Sequence, residues 1–125
     1  MSKCKDDLNI IKMYIIVNDS LKMGKGKISS QVGHAVSGII RKLEKRPSEY
    51  YNLWLNNGEP KIVLKANENT ILDFIDCYTN CLEIKDCGKT QIKPDSLTCI
   101  IFEPLHLENK KTSELVTKLK SLKIL

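Results

Sequence analysis

Apolar side chains occur along the chain in two patterns, short continuous runs and helical spacing, which predict alternating strands and helices. Runs rich in β-branched and aromatic residues predict four strands, at MYIIVN, KIVLKA, LEIK and LTCIIF. Apolar residues at helical spacing predict a long helix that ends before Pro47, a short one from Ser48 to Asn57, a third after Asn67 and a last from about Asn109. The apolar stripe predicted for the third helix consists of Ile71, Leu72, Ile75, Tyr78 and Leu82.

This alternation predicts an α/β fold with one mixed, largely parallel, four-stranded sheet and helices packed on both faces. A chain of 125 residues can bury one core but is too short for two. We therefore expect a single domain over residues 12–125, preceded by a polar and irregular segment, residues 1–11, that we expect to be flexible.

Composition narrows the class of protein. The chain is 42% hydrophobic and 28% charged, as is usual for a soluble globular domain. Its net charge of +5 has functional meaning only if the basic residues cluster. No stretch approaches the roughly 20 apolar residues of a membrane span, and the first residues lack a secretory signal. We therefore expect a cytoplasmic protein that does not associate with membranes.

Cysteine usage argues against a disulfide framework or a zinc ribbon. The five cysteines are an odd number and contain no CxxC pair. Cys77 and Cys81 stand four residues apart, but no further ligand follows at metal-binding spacing. We expect reduced thiols and no metal; a redox or metal protein that uses these two cysteines would need a reversible disulfide or a bound ion.

The basic residues do cluster, in a turn between the first strand and the long helix. Lys22, Lys25 and Lys27 alternate with Gly24 and Gly26. A helix N-terminus carries unpaired N–H groups and partial positive charge, so these lysines repel it unless an anion binds there. Glycines let a phosphate approach the backbone closely. The alternative is a solvated, flexible loop, and the absence of GxxxxGK[ST] disfavours nucleotide triphosphate hydrolysis.

The long helix carries polar residues beside its apolar stripe. Lys27, Gln31 and His34 share one face, where the amide and the imidazole are placed to bind a substrate. The alternative for His34 is a packed structural residue. Small side chains occupy another face, at Ser30, Gly33 and Ser37. They leave room for a neighbouring element or for a second copy of the chain in a homodimer.

The loop DCGKTQ brings a carboxylate, a cation, a hydroxyl and an amide together at the end of a strand. These groups belong to Asp86, Lys89, Thr90 and Gln91. Open α/β sheets bind ligands at this edge. Asp86 with Thr90 is suited to activating water, and a lysine to stabilising an oxyanion. Alternatively, Asp86 and Thr90 cap a turn.

Three segments together resemble the type 2 peptidyl-tRNA hydrolase family of archaea and eukaryotes. They are LKMGKGKISSQVGHA, WLNNGEPKIVLKA and DCGKTQIKPDSLT, in the family's order and spacing. The resemblance implies a frequently dimeric enzyme that cleaves the ester between a peptide and the 3′ end of tRNA without a cofactor. It implies catalytic roles for Lys22, Gln31, His34, Asp86 and Thr90. The expected contacts to tRNA come from Gly24, Lys25, Gly26, Lys27, Lys89 and Gln91.

Two departures from the family pattern qualify these expectations. Ser20 stands where the family usually has an acid, which leaves open how the turn is braced. Lys89 replaces a usual arginine and lacks its bidentate fork for phosphate. A non-catalytic RNA-binding or adaptor domain of the same fold is the alternative function, although such a module has no need of a carboxylate near an anionic ligand.

Overall fold

The computed structural model describes residues 10–87, 93 and 95–125. The strands are β1 (Ile11–Asn18), β2 (Lys61–Ala66), β3 (Cys81–Lys85), β4 (Leu97–Phe102), β5 (Leu105–His106) and β6 (Lys123–Ile124). The helices are α1 (Lys25–Lys45), α2 (Tyr51–Asn56), α3 (Glu68–Cys77) and α4 (Ser113–Lys120), with 3₁₀ turns at Asp19–Leu21 and Lys110–Thr112. Elements of both kinds alternate along the chain, which confirms the predicted α/β class.

The strands form one mixed sheet in the order β3, β4, β1, β2, β6, while β5 pairs with the beginning of β1. Among the described residues the sheet therefore has six strands, and the prediction of four was wrong. The expectation of a largely parallel sheet was also wrong, because β1 and β2 form the parallel pair and the other described pairings are antiparallel. No helix separates β3 from β4 in the described residues, so these neighbours pair antiparallel.

Side chains alternate across β1 and divide the core into two clusters. Ile15 and Val17 point to the face covered by α1 and α2, where Trp54 is fully buried. Tyr14 and Ile16 point to the opposite face, covered by α3 and α4. This alternation is the period of two expected of a strand. Helices therefore pack on both faces, as predicted.

Local signals place several helix boundaries. The Asn67 side chain accepts a hydrogen bond from the N–H of Thr70 at 2.9 Å, which confirms Asn67 as the N-cap of α3. This helix ends at Cys77, so Leu82 belongs to β3 and not to the predicted helical stripe. The long helix ends at Lys45, before Pro47 as predicted.

The described residues contain no helix with the length and apolar character needed to cross a membrane. The predicted division at residues 11 and 12 falls close to the start of β1 at Ile11. Since residues 1–9 lie outside the described part, the flexible N-terminal segment remains a prediction.

Candidate active site

The lysine-glycine turn connects β1 to α1 through a single 3₁₀ turn. Lys22 ends this turn in the left-handed region, with φ of 50°, and its N–H donates to the carbonyl oxygen of Asp19. The Lys22 side chain is 77% exposed, and its ammonium group lies 3.4 Å from the Asp19 carboxylate. Lys22 is thus a solvent-facing cation on a defined backbone, not part of a loose loop.

Asn18 and Ser20 brace the turn against α3. The buried Asn18 amide donates to a Glu68 carboxylate oxygen and to the Leu97 carbonyl oxygen, each at 2.9 Å. The side-chain carbonyl oxygen of Asn18 accepts a hydrogen bond from the backbone N–H of Ser20 at 3.0 Å. The Ser20 hydroxyl oxygen in turn accepts from the N–H of Glu68 at 3.0 Å. These bonds explain how the turn is held although Ser20 is not an acid.

The N-terminus of α1 is open to a ligand. Gly24 is its N-cap and supplies no side-chain hydrogen bond, and the first turn contains no acidic residue. A methyl group on Gly24 or Gly26 would meet no atom within 4 Å. Lys25 is exposed beside them. The first N–H groups of a 21-residue helix therefore lie beside two cations and open space, which is an arrangement suited to phosphate.

Lys27 and Asp86 form a buried ion pair between α1 and the residue that follows β3. The Lys27 ammonium group contacts the Asp86 carboxylate, and the two side chains are 9% and 3% exposed. Backbone bonds fix Asp86 in turn, because its N–H donates to the carbonyl oxygen of Ser96 and its carbonyl accepts from the N–H of Asp95. The predicted carboxylate thus lies directly against one of the predicted amines.

Gln31 lies one helical turn after Lys27, on the same face of α1. It is 4% exposed, and its side-chain oxygen lies 2.7 Å from the hydroxyl oxygen of the fully buried Thr98. Thr98 is also 3.0 Å from the carbonyl oxygen of Ile84. The Cys99 thiol approaches the Gln31 backbone carbonyl at 3.6 Å. Helix α1 is therefore joined to β3 and β4 by polar contacts as well as by apolar packing.

Of the remaining predicted residues, His34 is described and is not joined to this cluster by a hydrogen bond or an ion pair. His34 is exposed and makes no hydrogen bond to a described residue, so it is not the packed structural histidine considered above. Lys89, Thr90 and Gln91 lie outside the described residues, and their roles remain predictions. Ser30, Gly33 and Ser37 are exposed, and the homodimer contact there also remains a prediction.

Sequence reasoning missed two residues of the site, Thr98 and Asn18. Each is a polar residue next to a run of apolar residues in its strand, and that contrast is the only signal in the sequence. A polar residue in a buried strand needs a hydrogen-bond partner. The sequence therefore predicts that such a partner exists, but it does not say which residue it is.

The thiols of the described residues show no sign of metal binding. No three or more histidine, cysteine, aspartate or glutamate side chains converge there as a metal site would require. Burial raises the pKa of Cys99 to about 12, while Cys77 and Cys87 are exposed. Cys77, Cys81, Cys87 and Cys99 are free cysteines.

Comparison with known proteins decides the family. A family model described as Peptidyl-tRNA hydrolase PTH2 matches residues 11–122, nearly the whole chain. The chain belongs to this family. The match begins at the first residue of β1 and ends at Leu122, so it contains every described strand and helix except β6.

Archaeal relatives of this PTH2 chain support the same conclusion. A protein of Saccharolobus islandicus named peptidyl-tRNA hydrolase is 42% identical over 104 residues, which cover 76% of this chain and 87% of the relative. Saccharolobus solfataricus has a protein of that name at 41% identity over 107 residues, with the same coverage. The protein so named in Sulfolobus acidocaldarius is 40% identical over 106 residues, covering 75% of this chain and 87% of its own.

Proposed function

We propose that this chain hydrolyses peptidyl-tRNA, the reaction of its family, in the crevice formed by the lysine-glycine turn, the start of α1 and Asp86. The bond cleaved is the ester between a peptide and the 3′ end of tRNA, and the products are a free tRNA hydroxyl and a peptide carboxylate. This reaction returns to translation the tRNA left by aborted synthesis. The observation that carries the proposal is the buried pair of Lys27 and Asp86 beside an open, basic helix N-terminus.

The crevice combines a binding part with a reactive part. Lys22 and Lys25 are exposed and free to approach tRNA phosphates, together with the N–H groups that follow Gly24. Lys27 is nearly buried and faces Asp86. Its charge offsets that of the carboxylate, which would otherwise repel the phosphates of the substrate. We therefore propose phosphate contact for Lys22, for which a catalytic role was expected, and support of the acid for Lys27, for which a contact to tRNA was expected.

Asp86 is the group best suited to activate water. Its backbone is fixed by bonds to residues 95 and 96, so its carboxylate is held in a defined place. The water oxygen attacks the ester carbon, Asp86 accepts or orients the water proton, and the bond to the ribose oxygen breaks. That oxygen leaves as the 3′-terminal hydroxyl after it takes up a proton. Thr90 and Gln91 are proposed to help, by their position in the family's motif.

A non-catalytic RNA-binding or adaptor domain explains less. Phosphate binding alone accounts for the exposed lysines, but it gives no reason to hold an acid next to them. The curated relatives are named as hydrolases as well. Because the substrate is a product of translation, we further propose that the protein acts in the cytoplasm, and a homodimer remains part of the proposal.

The decisive experiment measures release of tRNA from an N-acetylated aminoacyl-tRNA by the natural chain, Asp86→Asn and Asp76→Asn. Asp76 is an exposed acid on α3 and serves as the matched control. Since Asp86→Asn leaves Lys27 without this partner, its folded fraction is measured by thermal unfolding, and we expect the folded variant to lower kcat by roughly 10² to 10⁴, the usual contribution of a general base, with tRNA affinity kept. Asp76→Asn should behave as the natural chain. Full activity of Asp86→Asn, or no activity of the natural chain, would contradict the proposal.

A further inference from the structure

We infer that Thr98 is a positioning residue for the reaction, because its hydroxyl holds the Gln31 amide with both of its N–H donors directed away from β4 and toward the substrate. The inference rests on the proposed function and gives a role to Thr98, the last residue of the segment DCGKTQIKPDSLT, to which no role was assigned above. Thr98 itself is 0% exposed and cannot touch the substrate, so it acts through Gln31.

The argument starts from the single proton of a hydroxyl group. The Thr98 oxygen lies 2.7 Å from the Gln31 side-chain oxygen and 3.0 Å from the Ile84 carbonyl oxygen. A threonine hydroxyl can donate only one hydrogen bond, and both of these neighbours are acceptors. The shorter contact is the one to Gln31, so the proton is assigned to that bond. Because the structure places the Gln31 oxygen at this hydroxyl, the amide nitrogen is directed away from Thr98.

Gln31 combines a largely buried side chain with an amide nitrogen that is available to a ligand. Its side chain is 4% exposed, yet its amide nitrogen makes no hydrogen bond to any residue that the structure describes. The nitrogen is not one of the fully buried side-chain atoms that lack a hydrogen bond, so it keeps access to the surface and is open to a ligand. Gln31 lies one turn after Lys27, which contacts Asp86. The amide is therefore suited to bind the ester carbonyl oxygen, where negative charge develops during attack by water.

The strand register explains why a threonine occupies this place. Ile84 pairs with Cys99 and Lys85 with Leu97, so Thr98 is the extra residue of a bulge in β4. A bulge redirects a side chain that would otherwise follow the alternation of the strand. Here it directs a polar side chain to the covered face, within reach of α1. The bulge thus sets the direction of Thr98, and Thr98 sets that of Gln31.

The test compares Thr98→Val, Thr98→Ser, Gln31→Ala and the double variant Thr98→Val with Gln31→Ala. Valine keeps the shape of threonine but has no hydroxyl, and serine keeps the hydroxyl. Each protein is assayed for kcat and KM on N-acetylated aminoacyl-tRNA, and its folded fraction is measured by thermal unfolding. We expect Thr98→Val to lower kcat at least tenfold with KM unchanged, and Thr98→Ser to stay within about threefold of the natural chain.

The double variant distinguishes positioning from a merely structural role. If Thr98 acts through Gln31, Thr98→Val should change kcat little once Gln31 is already alanine. Equal and independent losses in both backgrounds would overturn the inference, as would an unchanged kcat of folded Thr98→Val. Loss of activity in a folded Thr98→Ser would also contradict it. An inactive natural chain would instead refute the proposed function, and this inference with it.

Discussion

Lys27 and Asp86 are 59 residues apart in sequence, yet their charged groups meet in the interior, where the side chains are 9% and 3% exposed. Charges in such a place are costly unless they are paired. The pair links the first turn of α1 to the end of β3. It therefore fixes the acid of the site relative to the helix N-terminus that is proposed to bind phosphate.

Removing the Lys27 charge should destabilise the fold much more than removing a neighbouring exposed charge. Lys27→Met leaves the Asp86 carboxylate buried without this cation, and we expect a loss of about 3 to 5 kcal/mol in the free energy of unfolding. Lys25→Met, the matched control, should change it by less than about 0.5 kcal/mol. Urea unfolding followed by circular dichroism measures both. Similar values for the two variants would show that the pair contributes nothing.

A methyl group at Gly26 should separate stability from tRNA binding. Gly26 is helical and has open space around it, so Gly26→Ala should keep or raise stability, by up to about 1 kcal/mol. The methyl group should nevertheless hinder a phosphate from reaching the backbone, and tRNA binding should weaken. Gly33→Ala, in equally open space on α1, is the control for helix propensity. Filter binding measures the tRNA affinity of the two variants, and thermal unfolding measures their stability. Unchanged tRNA affinity of Gly26→Ala would refute phosphate binding at the N-terminus of α1.

Lys22 should contribute to tRNA affinity through its charge alone. Lys22→Gln is expected to weaken binding and to lower the salt slope, the change of log affinity with log salt concentration, by about 1. The control is Lys120→Gln, an exposed lysine on α4, which covers the opposite face of the sheet. Binding isotherms at several salt concentrations give the slope. An identical slope for Lys22→Gln and the natural chain would remove Lys22 from the binding surface.

The brace formed by Asn18 should matter for both stability and the position of the turn. Asn18→Ala removes the bonds to Glu68 and Leu97, and we expect it to lower the free energy of unfolding by about 1 to 3 kcal/mol. Asn69→Ala, at an exposed position on α3, should have little effect. Chemical denaturation provides the comparison. A neutral Asn18→Ala would mean that solvent replaces these bonds without cost.

Cys99 should be inert toward thiol reagents while the protein is folded. Burial raises its pKa to about 12, so almost no thiolate is present at pH 8, and thiolate is the reactive form. Exposed Cys77 should be alkylated by iodoacetamide under the same conditions. Mass spectrometry of peptides from folded and urea-treated protein measures this contrast. Rapid modification of Cys99 in the folded state would contradict its burial.

The sequence alone was sufficient to predict those strands and helix boundaries whose signals are local. β2 and β4 have the predicted bounds, because each is rich in β-branched and other apolar residues, and the cap of α3 follows from Asn67. β5 and β6 were missed since a strand of two residues shows no alternation. The sheet was expected to be largely parallel because strands and helices alternate, but the described residues contain no helix between β3 and β4, which pair antiparallel.

The same limit applies to the site. The lysine-glycine turn and Asp86 were identifiable because each lies in a compact motif with a chemical purpose. Thr98 was not, because its burial and its partner depend on a bulge in β4 and on the packing of α1, which are properties of the assembled fold. The role of Asn18 was likewise not predictable, because it depends on contacts to Glu68 and Leu97, which are both distant in sequence.

The place of β4 between β1 and β3 has a consequence for synthesis of the protein. Until this strand has left the ribosome and inserted, β3 has no neighbour in the sheet, Asn18 has no Leu97 carbonyl to bond and Gln31 has no threonine. A nascent chain that stops before residue 97 thus holds the cationic turn but not an assembled catalytic centre. The enzyme therefore becomes competent only after β4 has been synthesised and has inserted between β1 and β3.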